Sequence, residues 1–187
     1  MTTLLIVRHG ETEENVSRIL QGHLPGKLTA RGIQQAEALA QALKGETFDV
    51  LLTSDLARAH RTACIIGKAL SLQPIQDSRL RERDWGTLTG RAIDSLKGDP
   101  FPDSVETVTA MTHRAMEVLD YIYNMYRNKC VLCVTHGLFA RTLQAAYYGV
   151  RLREIEPMQN GETRQLLLPR PTHKQASPAE DANASAN

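Results

Sequence analysis

Three short β-rich apolar runs, Thr2–Arg8, Val50–Thr53 and Cys130–Thr135, are separated by stretches whose apolar residues recur every three to four positions. Continuous apolar runs of this length read as strands covered on both faces. The first intervening helix is predicted after Thr29, a side chain suited to an N-cap, with Ile33, Ala36, Ala40 and Leu43 along one face and Gly45 as the stop. A second helix is predicted over 56–70 and a short strand over 74–76. The stretch 79–102, with Gly86, Gly90, Gly98, Pro100 and Pro102, is expected to be irregular. A long helix is predicted from Ser104, because Val105, Val108, Thr112, Ala115, Leu119, Ile122 and Tyr126 share a face. A helix over 137–147 and a closing strand over 163–168 complete the pattern. Strands alternating with helices imply a layered α/β fold with a mainly parallel sheet.

The folded unit is expected to span 1–168 of the 187 residues. Residues 169–187 contain no Val, Ile, Leu, Met or aromatic side chain, so a disordered tail is predicted there. Lys and Arg number 22 against 21 Asp and Glu, a net charge of +1. That balance argues against nucleic-acid binding through a general basic field and against a polybasic membrane surface. No apolar stretch approaches the ~20 residues of a membrane span. The run ahead of Arg8 is too short for a signal-peptide core. Three cysteines, Cys64, Cys130 and Cys133, do not make a disulfide scaffold. Cys130 and Cys133 stand three apart on a predicted strand and so face opposite sides. A cytoplasmic protein, monomer or homodimer, is expected.

Two His-Gly pairs follow predicted strands: His9-Gly10 and His136-Gly137. In open α/β sheets ligands bind beyond the carboxyl ends of the strands, so both histidines should open onto one edge. A third strand end, Thr53-Ser54-Asp55, leads into Arg58 at a helix start, where free N–H groups and a guanidinium suit an anion. Arg8, His9, Arg58 and His136 together suggest a phosphate pocket.

The segments Leu5-Ile6-Val7-Arg8-His9-Gly10-Glu11-Thr12, Asn15, Gln21-Gly22, Leu28-Thr29-Ala30-Arg31-Gly32, Ser54-Asp55-Leu56-Ala57-Arg58-Ala59, Leu80-Arg81-Glu82-Arg83 and Thr135-His136-Gly137 occur in order. In these the chain resembles the histidine phosphatase superfamily, the phosphoglycerate mutase-like proteins, in its short bacterial phosphatase branch. The resemblance implies a three-layer α/β/α sandwich. It also implies a phosphohistidine route, with His9 as nucleophile, Arg8, Arg58 and His136 holding phosphate, and Glu82 as general acid and base. Asn15, Gln21, Gly22, Arg83, Trp85 and Gly137 are implied as substrate-binding positions, Trp85 either stacking on a ligand or capping the core. The family's usual Gln is replaced by Arg61, and the Gly of its Gly-Glu-Ser segment by Val105.

Imidazole attacks phosphorus only when unprotonated, and two arginines with a second, charged histidine would keep His9 neutral. Glu82 must carry a proton when the leaving group departs, which partial desolvation would favour. Side-chain cations supply the charge neutralisation, so no metal and no cofactor are expected. No Walker loop, Cys-x5-Arg loop or zinc spacing is present. The implied activity is hydrolysis of a small phosphorylated substrate. A cofactor-dependent mutase, a phosphoprotein or phosphohistidine phosphatase, and a non-catalytic phospholigand scaffold are the alternatives. The short stretch between Glu82 and His136, which has no Arg-Arg pair, favours the phosphatase.

Overall fold

The computed structural model describes residues 1–96 and 100–169. Apart from Pro169, the tail predicted to be disordered lies outside the described residues, as does Gly98. One five-stranded sheet organises the chain, in the order β3 (Pro74–Gln76), β2 (Val50–Thr53), β4 (Cys130–Thr135), β1 (Thr2–Arg8), β5 (Thr163–Leu168). The first four strands are parallel to their neighbours and β5 is antiparallel to β1.

Alternation along the central strands explains both layers of helices. Leu4, Ile6, Leu52, Val131 and Cys133 face a core shared with α4 (Val108–Met125) and α5 (Gly137–Tyr148). Val7, Leu51, Leu132 and Val134 face the opposite side, against α2 (Ala30–Ala42) and α3 (Ala57–Leu70). With both faces covered by apolar side chains, each worth about 1.5–3 kcal/mol when buried, the central strands β1, β4 and β2 have no solvated face. Cys133 packs in the first core and Cys130 against the second, and both are free thiols. The spacing argument against their pairing therefore holds.

The five strands fall where the apolar runs put them. Two helix ends differ. Thr29 caps α2 as expected, its side chain accepting the Gly32 N–H at 2.9 Å, but the helix ends at Ala42, before Gly45. The long helix α4 starts at Val108 and not at Ser104. Its cap is Thr107, which accepts the Ala110 N–H at 3.1 Å, while Glu106 just ahead is recruited by the 79–84 segment. A one-turn helix, α1 (Glu13–Val16), was not legible as a period. It is fixed by a reciprocal Thr12–Asn15 capping box. The irregular stretch 79–102 contains 3-10 turns at Ser78–Leu80, Gly86–Leu88 and Ile93–Leu96.

Gly10 is required by a close approach and not by a sharp turn. A Cβ there would overlap the Gly32 carbonyl at the start of α2, so the chain after β1 lies directly on that helix.

Candidate active site

Strand register brings the predicted groups together. Arg8 pairs with Thr135 and Thr53 with Val134, so β1, β4 and β2 end side by side. The next main-chain N–H groups continue the ladder, His9 to the Thr135 carbonyl at 2.9 Å and Ser54 to the Val134 carbonyl at 3.0 Å. The His9 and His136 rings meet edge to face with centroids 5.2 Å apart.

Two bonds define the proton on His9. The Gly10 carbonyl, which can only accept, lies 2.7 Å from Nδ1, so Nδ1 carries the hydrogen. Arg58 Nε–H points at Nε2 from 3.2 Å, which requires a lone pair there. Burial, then Arg58 and Arg8, hold the imidazole well below its ordinary pKa. The ring is 3 % exposed and neutral, with its Nε2 lone pair beside a guanidinium.

Arg58 is 1 % exposed and anchored on three sides. Besides His9, its Nη1 donates to the Leu24 carbonyl at 2.5 Å and Nη2 to the Gly22 carbonyl at 2.9 Å. Burial pulls its pKa down to about 10, which leaves it charged at neutral pH. Arg8 donates from Nη1 to the Met158 carbonyl at 2.5 Å and lies flat over Gly137, where a Cβ would come within 3.0 Å of Nε. Its Nε is buried with no partner among the described residues.

His136 is fully buried, and burial, Arg58 and His9 hold its pKa well below the ordinary value. Burial beside the Arg58 guanidinium thus disfavours the charged second histidine that the sequence suggested. Its Nε2 lies 2.8 Å from Ser54 Oγ, which already accepts the Leu56 N–H at 3.2 Å. The Ser54 hydroxyl can donate to Nε2 or accept from it. Nδ1 is a buried group without a partner among the described residues. The Arg8 Nε donor and the His136 Nδ1 are both left open at this strand edge.

Glu82 arrives from the irregular segment. Its Oε1 accepts the N–H groups of Arg83 at 2.9 Å and Phe139 at 3.1 Å, and Oε2 accepts that of Leu138 at 3.2 Å. The last two are free N–H groups in the first turn of α5. The side chain is half-buried and accepts three main-chain N–H groups.

The remaining predicted positions divide. Gly22 anchors Arg58, Gly137 supports Arg8, and Asn15 accepts the Thr12 N–H at 3.1 Å on its Oδ1. Gln21 is buried with its Oε1 unpartnered among the described residues. Arg83 and Trp85 sit one layer out. The Arg83 guanidinium stacks 4.6 Å over the Trp85 ring and donates from Nε to the Glu106 carbonyl at 2.7 Å. Trp85 meets Phe101 edge to face at 5.7 Å within the core. Its packing is that of a core cap. Arg61, at the departure from the family pattern, is exposed.

Four contributors were not singled out. Asn160, in the turn before β5, donates from Nδ2 to the His9 carbonyl at 3.0 Å, 151 positions away. Arg114 donates from Nη1 to the carbonyls of Arg79 and Arg81 at 2.8 and 2.7 Å, and Glu106 accepts the Asp84 N–H at 3.1 Å. His23 lies 3.1 Å from the Glu82 carbonyl through Nε2. The Gln21-Gly22 motif leads directly into His23, and Glu106 follows Val105 in the segment compared with the family's Gly-Glu-Ser; no such signal marks Asn160 or Arg114. Among the described residues no three His, Cys, Asp or Glu side chains group to hold a metal ion, and no helix is long and apolar enough to cross a membrane.

A sequence profile of the histidine phosphatase superfamily, branch 1, matches residues 4–175. The "Uncharacterized phosphatase PhoE" of Bacillus subtilis is 36% identical over 141 residues, covering 73% of this chain and 72% of its own. The "Probable phosphoglycerate mutase GpmB" of Yersinia pestis is 33% identical over 165 residues, covering 80% of this chain and 76% of its own. Among solved structures, a mycobacterial glucosyl-3-phosphoglycerate phosphatase in complex with VO3 superposes with a TM-score of 0.81 at 27% identity. That superposition covers 88% of this chain and 92% of the other.

Proposed function

The chain belongs to the histidine phosphatase superfamily, and on that premise we propose that it hydrolyses the phosphomonoester of a small phosphorylated metabolite through a phosphohistidine on His9. The observation that carries this reading is the fixed tautomer of His9: Nδ1–H on the Gly10 carbonyl leaves an unprotonated Nε2 beside Arg58. Nε2 attacks phosphorus, and the bond from phosphorus to the leaving oxygen breaks. Arg8, Arg58 and the Nδ1–H of His136 donate to the three equatorial oxygens, where charge spreads in the transition state.

Glu82 hands its proton to the leaving oxygen. An arriving phosphate monoanion brings the proton that Glu82 relays to the leaving oxygen. In the second half, Glu82 takes a proton from water, whose oxygen attacks phosphorus and breaks the P–N bond. Inorganic phosphate leaves, and His9 returns neutral.

A phosphoglycerate mutase is the second reading, supported by the likeness to the Yersinia pestis protein. It needs further cations for a second anionic group. Between Glu82 and His136, Arg114 is instead paired with the Glu106 carboxylate, while Arg83 donates from Nε to the Glu106 carbonyl and stacks on Trp85, its Nη1 unpartnered among the described residues. Hydrolysis fits that arrangement better. The test is release of p-nitrophenol from p-nitrophenyl phosphate in the presence of a chelator, with a denaturing alkaline quench to capture the phosphoenzyme. Wild type should turn over and label at an acid-labile site, and His9→Ala should do neither. A folded wild type that hydrolyses no phosphomonoester overturns the proposal, and bisphosphoglycerate-stimulated interconversion of phosphoglycerates would establish the mutase.

A further inference from the structure

We propose that Asn160 is a positioning residue that fixes which end of the Asn15 amide meets the phosphate; this deepens the phosphatase reading and rests on it. The argument is a chain of obligatory donors and acceptors. The His9 carbonyl can only accept, so the Asn160 group 3.0 Å from it must be NH2. That NH2 can only donate, so the Asn15 atom 3.2 Å from it must be Oδ1. The Thr12 N–H, 3.1 Å from the same atom, makes the same demand independently. Both lone pairs of Asn15 Oδ1 are thereby taken, and its NH2 finds no acceptor among the described residues.

An amide without this constraint can present either end. A carbonyl oxygen turned to a phosphate repels it, whereas an NH2 donates to it. Asn160 and the Thr12 N–H together hold Asn15 as a donor, and the Asn160 bond to the His9 carbonyl restrains the peptide of the nucleophile. The turn carrying Asn160 is itself locked to the strand end: Gly161 N–H donates to the Arg8 carbonyl at 3.0 Å, and the Met158 carbonyl receives Arg8 Nη1. The segment 158–161 thus orients Arg8, His9 and Asn15 together from a distant part of the chain.

Asn160→Asp tests this with the volume kept. A carboxylate facing two acceptors repels both and leaves the Thr12 N–H alone to hold Asn15 Oδ1. Vanadate inhibition and KM for p-nitrophenyl phosphate are measured in the wild-type and Asn15→Ala backgrounds, with thermal unfolding of each variant and Asn160→Ala as a second variant. Loss of a charge-assisted bond predicts that vanadate binding weakens about 30-fold in the wild-type background, with KM rising more than kcat falls. In the Asn15→Ala background the same substitution should change vanadate binding less than about threefold, because the group it acts through is gone. Equal losses in both backgrounds, or no loss from either variant, overturn the positioning role. A folded wild type that binds no vanadate overturns the phosphate reading itself, and this inference with it.

Discussion

The two halves of the site are held by different means. His9, Ser54 and His136 leave adjacent strands, and the main chains of His9 and Ser54 are bonded to β4 before any side chain is considered. Glu82 comes from a segment whose only regular structure is 3-10 turns. It is located by side chains: Arg114 gathers the Arg79 and Arg81 carbonyls, Glu106 receives Arg114 and the Asp84 N–H, and Thr135 Oγ1 donates to the Leu80 carbonyl at 2.7 Å. The anion-holding half is thus set mainly by strand register, with Asn160 and the Leu24 and Gly22 carbonyls trimming Asn15 and Arg58. The proton-handling half depends on a few polar contacts. The two should respond differently to mutation.

The strongest separation comes from Glu82→Gln. It keeps the shape and most of the backbone bonds but removes the transferable proton, so kcat should fall about 10³-fold, within the usual range for a general acid. Vanadate affinity should be unchanged, because Arg8, Arg58 and the histidines do not rely on Glu82 for their places. A parallel loss of vanadate binding would mean that the halves are not separable.

Arg114→Met probes the support and not the acid. Arg114 and Glu106 are mostly shielded from solvent, so the variant leaves a carboxylate unpaired and two carbonyls short of a donor. Unfolding free energy should fall by about 2–3 kcal/mol, read by denaturant titration. With Glu82 loosened, kcat should drop about 10- to 100-fold while vanadate affinity holds. An enzyme less stable but equally fast would break the comparison, since Glu82 would then be positioned by the α5 N-terminus alone.

The same division explains what could be read in the chain. The strand-end groups were legible because an apolar run, a His-Gly pair and the rule that parallel strands bind ligands at their carboxyl ends are all local signals. Arg114 and Asn160 carry no such signal. Each acts through main-chain carbonyls far away in sequence, and nothing in the spacing of a long helix or a β5 lead-in marks a side chain that bonds backward. Helix α4 shows the cost of reading period alone: Val105 belongs to the buried face without being helical, because Glu106 is pulled out to serve Asp84 and Arg114. Trp85 and Arg83 could be placed near Glu82 but not oriented, since their stacking with Phe101 depends on a loop with no repeat.

The smallest effect concerns pH and belongs to the strand-end half alone. His9 and His136 both have folded pKa values below the ordinary 6.5, burial being the largest cause. In the unfolded chain each regains a pKa of about 6.5. Between the folded and unfolded values the unfolded state binds more protons, so stability is full above about 6.5 and falls as pH drops below it. The Asp55 carboxyl, bonded by Arg81, is held below its ordinary value and protonates only in stronger acid, so the first part of the acid limb belongs to the histidines. His136→Asn should therefore flatten that limb by up to about 1.4 kcal/mol per pH unit, measured by denaturant unfolding from pH 7 down to about 5. Glu82→Gln should leave its histidine component in place. A limb unchanged by His136→Asn would mean that the buried ring takes up a proton without cost. The strand edge would then owe its readiness for an anion to charge and not to neutral, pre-aimed donors.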